Sequence, residues 1–519
     1  MEIKTDIEFT ESKRLPDVYT ESQSEYSLPD YNREVRKILY TSADLQPSGR
    51  FVGNDEIAFS GIIVYNLVYL DGENNIASTS FTSDYDYTVK CSQDGSQELL
   101  ENARIASYAV RVLGPRKVSA RASVVSTVRQ TSGATVSVLG DAFTGAQIPQ
   151  VLNKTVNVRS TSSSATLERE YAERLARLEG AVEDEVEIIL TDTVCKIDEI
   201  SASEGQVSLC GKLTLASIIR NGDEPAYLVS KAIPFEESVP FDGARADMAF
   251  SPNVTVISEK ASVNPDDTGC EVVVSVIVEM SLYGEYNQQV SVITDAYIKG
   301  CESDCEYGEF CYTELVGEFS DCRVESASAP RSDIESEKLR EVVYLSASAK
   351  PESVKPCAKG VEVSGEIKYT GFASEILENG RVGYIPIKFS APFKRNVNIN
   401  CQNSEDLRFE TRVRGLGATA SIDENNIVFE ADLEISGVAL RDTSVKRVCR
   451  LDSKGETASA SCKASITVYY PDDKDTLFSV AKRFLTSPER IALDNSIDTS
   501  ASADGSELSL AKFKRIIIS

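Results

Sequence analysis

Apolar and polar residues alternate over long stretches of this chain, the period-two pattern of strands with one buried face. The clearest runs are Val207-Ser-Leu-Cys-Gly211-Lys-Leu-Thr-Leu215 and Val361-Glu-Val-Ser-Gly365-Glu-Ile-Lys-Tyr369. Ile57-Ala-Phe-Ser-Gly61-Ile-Ile-Val-Tyr65 aligns with both. The central glycines lie 150 (211 − 61) and 154 (365 − 211) positions apart. Each falls on the predicted buried face, where a missing side chain permits a close neighbouring layer or a bend. Pro234-Phe235 with Val239 corresponds to Pro392-Phe393 with Val397. The later runs Cys270–Val278 and Ile427–Ile435 also correspond, with Val118–Val124 as their counterpart in the first copy. These marks predict a mainly β protein with three tandem antiparallel sandwich or barrel-like units, over 28–160, 183–325 and 338–470. Residues 1–27 form an N-terminal segment.

Two stretches break the alternation. Leu167, Tyr171, Leu175 and Leu178 recur at helical spacing, Glu170–Arg174 and Glu173–Arg177 are i,i+4 pairs, and Gly180 is a natural stop. They predict a helical connector over 161–182. The acidic, serine-rich stretch 326–337 predicts a linker.

The last fifty residues follow a different plan. Leu477, Val480, Ala481 and Phe484 form the apolar stripe of a short helix, with Asp475 as its expected N-cap. Ser487-Pro488-Glu489 opens a second helix, with Ile491 and Leu493 expected to supply its apolar contacts. Tyr469 and Tyr470 end a strand-like run before the helices, and Ile516–Ile518 form another after them. Asp475-Thr-Leu-Phe478, Val480-Ala481, Arg483-Phe484, Ser487, Ile491 and Asn495 resemble the LysM pattern, a small βααβ module. Lys474 stands where that pattern has glycine, and Ala501–Ser506 where it has a Pro-Gly turn. The resemblance implies a recognition loop bordered by Asp475, Thr476, Leu477, Phe478, Ile491 and Asn495. Leu477, Val480, Phe484 and Ile491 are expected in the core; Asp475, Thr476 and Asn495 are expected at surface or capping positions.

Leu28-Pro29-Asp30-Tyr31, Val35, Ile38-Leu39 and the Gly61 strand resemble the SPOCS domain of clostridial spore-envelope proteins, as does Val292-Ile-Thr-Asp-Ala-Tyr297. Three such units followed by LysM resemble spore-coat morphogenetic proteins. That resemblance implies a non-enzymatic protein docking through its LysM-like module to the coat's basement layer, a SpoIVA-like ATPase. It also implies a place in the mother-cell cytoplasm, at the forespore surface. The alternative expectation is a LysM protein that binds peptidoglycan or another N-acetylglucosamine glycan.

Composition narrows the chemistry. The chain has 519 residues and a formal charge of −27, which argues against nucleic acid as a partner. Histidine is absent, so Ser-His-Asp and Cys-His catalysis and imidazole zinc sites are excluded. No apolar run approaches the ~20 residues of a membrane-spanning helix. The start, Met1–Glu8, does not read as a secretory signal, and the twelve cysteines are then expected as thiols. Cys301, Cys305, Cys311 and Cys322 form one cluster, readable as a thiolate metal site, as cross-linking cysteines or as ordinary strand residues. Its x3, x5 and x10 spacings lack Cys-x-x-Cys knuckles, and no metal or cofactor is expected. The acidic groups Glu183–Glu185, Asp266-Asp267 and Asp472-Asp473 read as solvated turns. Gly114-Pro115-Arg116-Lys117 is not a phosphate-binding loop.

Overall fold

The computed structural model describes residues 4–53, 55–90, 98–139, 149–334, 338–399, 406–456, 466–499 and 507–518. They are mainly antiparallel β. The first third holds β1 (Lys4–Arg14), β2 (Val18–Ser27), β3 (Lys37–Val52), β4 (Glu56–Leu70), β5 (Ile76–Lys90), β6 (Glu98–Gly114) and β7 (Lys117–Leu139). β3, β4 and β5 make a meander. β7 runs through a second sheet, with β6 on one edge and β1 and β2 end to end on the other. The two apolar faces close on a core that includes Ile63, Tyr65, Phe81, Val118 and Val124.

The middle third holds β8 (Pro149–Glu179), β9 (Val186–Ser203), β10 (Gln206–Asn221), β11 (Tyr227–Pro240), β12 (Ala249–Asp266) and β13 (Gly269–Ile298). Its sheets are β9-β10-β11 and β8-β13-β12, closed around Leu213, Leu215, Val274 and Val276. The last β third holds β14 (Cys301–Pro330), β15 (Leu339–Cys357), β16 (Gly360–Ile376), β17 (Val382–Asn398), β18 (Arg408–Ile422) and β19 (Asn426–Glu456). Its sheets are β15-β16-β17 and β14-β19-β18, closed around Val363, Ile367, Phe429 and Leu433.

Gly61, Gly211 and Gly365 sit mid-strand in β4, β10 and β16, opposite Tyr85, Phe235 and Phe393. A Cβ at each would lie 2.6, 2.2 and 2.1 Å from a carbonyl oxygen of the strand on its other side, and under 3.0 Å from the facing ring. The aromatic therefore folds over the glycine and fills the core volume the missing side chain leaves. The neighbouring strand carries an extra residue beside each glycine, Ser48 of β3, Asp198 of β9 and Glu352 of β15, which bends the sheet there.

The predicted helix over 161–182 is not formed. Residues 149–179 are one strand, paired antiparallel with β13 over its whole length. Leu167, Tyr171 and Leu175 are four apart, a spacing that keeps one face of a strand as well as of a helix. A register shift at Leu175 then returns Leu178 to an apolar contact. The charged residues find partners across strands instead of along a helix: Arg174 with Glu271 (2.5 Å), Arg177 with Asp266 (3.0 Å), and Glu173 with Lys231. Gly180 does terminate the element, at φ +71°. The expected linker is also shorter, because residues 326–330 pair with 426–430 as the end of β14. Residues 335–337 lie outside the described residues. Unit edges shift too: 149–160, assigned to the first unit, pair with β13, and 301–325, assigned to the second, pair with β19.

Among the described residues, several buried clusters join the thirds, two of them central to the arrangement. Leu39, Val68, Leu190, Ile218, Val343 and Phe372 share one buried cluster, so the three meanders touch at a common apolar hub. Val158, Val290, Phe310 and Val445 join the long arms of β8-β13 and β14-β19.

Candidate functional site

The C-terminal module comprises β20 (Thr467–Tyr469), α1 (Leu477–Arg483), α2 (Pro488–Asn495) and β21 (Ile516–Ile518), with β20 and β21 antiparallel. Leu477, Val480, Ala481, Ile491, Leu510 and Ile516 make its core, and Phe484 packs against it half-buried. Thr476, not Asp475, is the N-cap of α1: its hydroxyl accepts from Ser479 N (3.1 Å), and the Ser479 hydroxyl accepts from Thr476 N (2.9 Å), a reciprocal capping box. Ser487 caps α2 with Pro488 in its first turn, as expected.

The six residues expected around a recognition loop divide differently. Leu477, Phe478 and Ile491 are fully buried. Asp475, expected at a surface or capping position, is 5% exposed. Its carboxylate accepts from Tyr469 Oη (2.7 Å) and Asp472 N (2.9 Å), with Arg483 beside it at 3.4 Å. Burial works against its charged form, but the Asp472 N–H, the Tyr469 hydroxyl and Arg483 outweigh it and hold the carboxyl below its usual range. Thr476 is half-buried in its cap. Asn495 is half-buried as well: its amide donates to Ile491 O (2.8 Å) and Ile517 O (2.6 Å), and its oxygen accepts from Ile517 N (2.6 Å). These positions therefore help to hold the module together. The loops flanking the helices are also tied to each other, through Leu477 N to Leu508 O and Leu510 N to Asp475 O, both 2.9 Å. Residues 501–506, which stand in place of a Pro-Gly turn, lie outside the described residues. Leu493, expected as a helix contact, is 77% exposed.

The helical side of the module rests on the β body. Phe478 meets the fully buried Tyr297 ring edge-on at 5.3 Å. Tyr297 Oη donates to Thr486 O (2.5 Å), and Gly300 N donates to Leu485 O (2.9 Å). Lys482 reaches Asp295 at 2.5 Å, and Asp295 also accepts from Tyr307 Oη (2.7 Å). The Asp295-Ala-Tyr297 stretch, visible in the sequence, is thus the seat of the module; nothing in its pattern says so, because the contact joins residues nearly two hundred positions apart. The opposite side of the β20-β21 sheet is bare, with Ile466, Val468, Tyr470 and Ile517 exposed.

Two polar clusters lie between the thirds. Arg129 of β7, Arg159 of β8, Glu285 of β13 and Glu410 of β18 form a quartet. Arg159 and Glu285 are 6% and 1% exposed. Arg129 pairs with Glu285 (3.2 Å) and with Glu410; Arg159 pairs with Glu285 and with Glu410 (3.2 Å). Burial disfavours the Glu410 carboxylate, yet the two arginines override it and pull it down to about 2.

Asp44 of β3, Asp192 of β9 and Glu259 of β12 form the second cluster. Tyr344 donates to Asp192 (2.8 Å), and Thr193 donates to Glu259. Burial, then repulsion from Asp192, pushes Asp44 up to about 6. Burial chiefly, with Asp192 and Asp44 adding repulsion, pushes Glu259 up to about 7. Asp192 is raised by burial too, against the Tyr344 hydrogen bond. Asp44 is exposed and Asp192 and Glu259 are half-buried, so the trio lines a seam that water reaches.

Cys301, Cys305, Cys311 and Cys322 are strung along β14. At ~3.3 Å per residue they span about 70 Å, which rules out a shared four-thiolate site. Among the described residues no group of three or more His, Cys, Asp or Glu is arranged to hold a metal ion, and no helix is long and apolar enough to cross a membrane. No family model, no curated protein and no solved structure matches the chain.

Proposed function

We propose that the chain is a non-enzymatic assembly protein of the spore envelope, a SipL-like arrangement of SPOCS-type β units and a LysM-type module. In this reading the three β thirds are copies of one unit and act as a scaffold. Their matching strand orders and the three aromatic-covered glycines support that. The C-terminal module docks the protein to a coat basement-layer protein, the ATPase on the forespore surface. The observation that carries the reading is the division of the module into two sides: the helical side seats on Tyr297 and Asp295, and the sheet side keeps Ile466, Val468, Tyr470 and Ile517 exposed. Exposed apolar residues grouped on one face mark protein contacts more often than solvated surface. Glycan binding is the weaker reading, because Asp475, Thr476 and Asn495 are engaged in internal hydrogen bonds.

Deleting residues 466–519 tests this. The β body is expected to stay folded by circular dichroism, and a fluorescently tagged truncation is expected to lose its recruitment to the forespore in sporulating cells. Normal recruitment of the truncated chain overturns the proposal, as does saturable binding of the full chain to purified peptidoglycan.

A further inference from the structure

The β20-β21 sheet has two edges, and they are treated differently. On the β21 edge, the Asn495 side chain accepts from Ile517 N and donates to Ile517 O, both at 2.6 Å. An amide that bonds both groups of one residue imitates a neighbouring strand, so this edge is closed. The same bonds establish that Ile517 points its backbone groups away from β20. In an antiparallel pair the residue directly opposite does likewise, and that residue is Val468. Its N–H and C=O therefore point outward from the β20 edge, where, among the described residues, β20 pairs with no strand but β21. Ile466 and Tyr470 are in phase with it. Their side chains and that of Val468 lie on the exposed face at 60%, 69% and 50% exposure, with Ile517 beside them at 40%.

The charge beside this two-stranded sheet is opposite in sign to that of the chain. Lys512, Lys514 and Arg515 are exposed next to β21, and Arg515 precedes the residue paired with Tyr469, which places it across from Tyr470. With Lys474 they outnumber the exposed Asp472 and Asp473, in a protein of net charge −27.

We propose that the β20 edge receives an extended, acidic segment of a partner protein as a third antiparallel or parallel strand, with alternate apolar side chains lying on the Ile466–Val468–Tyr470–Ile517 face. Main-chain hydrogen bonds to Val468 supply the docking, and the lysine and arginine rim selects for acidic residues. This deepens the assembly reading above and rests on it for the identity of the partner, though the edge itself is testable alone.

The probe is an acetylated heptapeptide alternating glutamate with valine or isoleucine, titrated into the full chain and compared with its lysine counterpart. Saturable binding of the acidic peptide, with new hydrogen-exchange protection at the Val468 amide, is expected. Val468→Pro removes the outward donor without touching the β20-β21 ladder, and is expected to weaken binding about tenfold. Arg515→Glu, which leaves the backbone edge intact, is expected to weaken the acidic peptide and favour the lysine one. Unchanged binding in a folded Val468→Pro chain overturns the proposal, as does equal binding of the two peptides to the unaltered chain. Binding to vesicles of phosphatidylglycerol and phosphatidylcholine that is insensitive to Val468→Pro and displaces the peptide assigns the face to lipid, and also overturns it. Failure of the peptide experiments with recruitment still lost on deleting 466–519 sinks this inference and leaves the assembly reading standing; the reverse pattern sinks the assembly reading alone.

Discussion

The Arg129–Arg159–Glu285–Glu410 quartet and the Asp44–Asp192–Glu259 trio both lie where strands from different thirds of the chain meet, yet they handle buried charge in opposite ways. In the quartet each carboxylate faces two guanidinium groups, and Glu410 is held at about 2. In the trio carboxylates face one another and neutral hydroxyls, and Asp44 and Glu259 rise to about 6 and 7. Loss of water disfavours a charge in both places, more so in the drier quartet. What decides the outcome is the sign of the neighbours, so one seam is indifferent to pH near neutrality and the other responds to it.

The largest effect should come from breaking the compensated seam. Glu285→Gln leaves Arg159 buried with half its partner charge, and is expected to lower stability by about 3–5 kcal/mol in a denaturant titration. A loss below about 1 kcal/mol would mean that water already screens the quartet, and the contrast with the trio would collapse.

The second test is the pH profile of the unaltered chain. Unfolded carboxyls titrate near 4, below the folded values of Asp44 and Glu259. At lower pH both states hold the protons and the trio costs nothing; as pH rises through about 4 to 7 the unfolded chain releases them first, and stability falls. Glu410 has the reverse sign: its contribution is complete above about pH 4.5 and is lost only as pH falls toward 2. Thermal melts between about pH 5 and 8 should thus show declining stability from the trio with no change from the quartet.

Glu259→Gln sharpens the assignment. It should stabilise the chain by about 1 kcal/mol at pH 8, after allowing for solvent in the seam, and leave stability unchanged at pH 4. Equal effects at both pH values would indicate packing rather than charge. The most confined effect lies outside both seams: Thr476→Ala removes the cap of α1 and should cost at most about 1 kcal/mol, read as faster amide exchange within the C-terminal module alone.

Much of the β architecture is legible as alternation, and the three glycine strands are legible as one pattern because the same steric demand recurs at each. The βααβ order of the C-terminal module follows from its helix stripe, Ser487-Pro488 and the flanking apolar runs. The error at 167–178 has a specific cause: four-residue spacing satisfies both periodicities, and only the thirty-residue partner strand β13, distant in sequence, decides between them. The candidate site was less legible. Asp475 and Asn495 look like surface groups by type, but each finds partners brought near only by the fold: Tyr469 and Arg483 for one, Ile517 for the other. The quartet was invisible for the same reason, since its four members come from strands up to 281 positions apart.

The Asn495 clamp also sets a valence. A two-stranded sheet with both edges open can add a strand on either side, and copies of it can stack edge to edge without limit. With one edge occupied by its own side chain, the module can extend in a single direction. Asn495→Ala would turn a one-handed coupler into a two-handed one, and with it a terminal fitting into a link that can propagate.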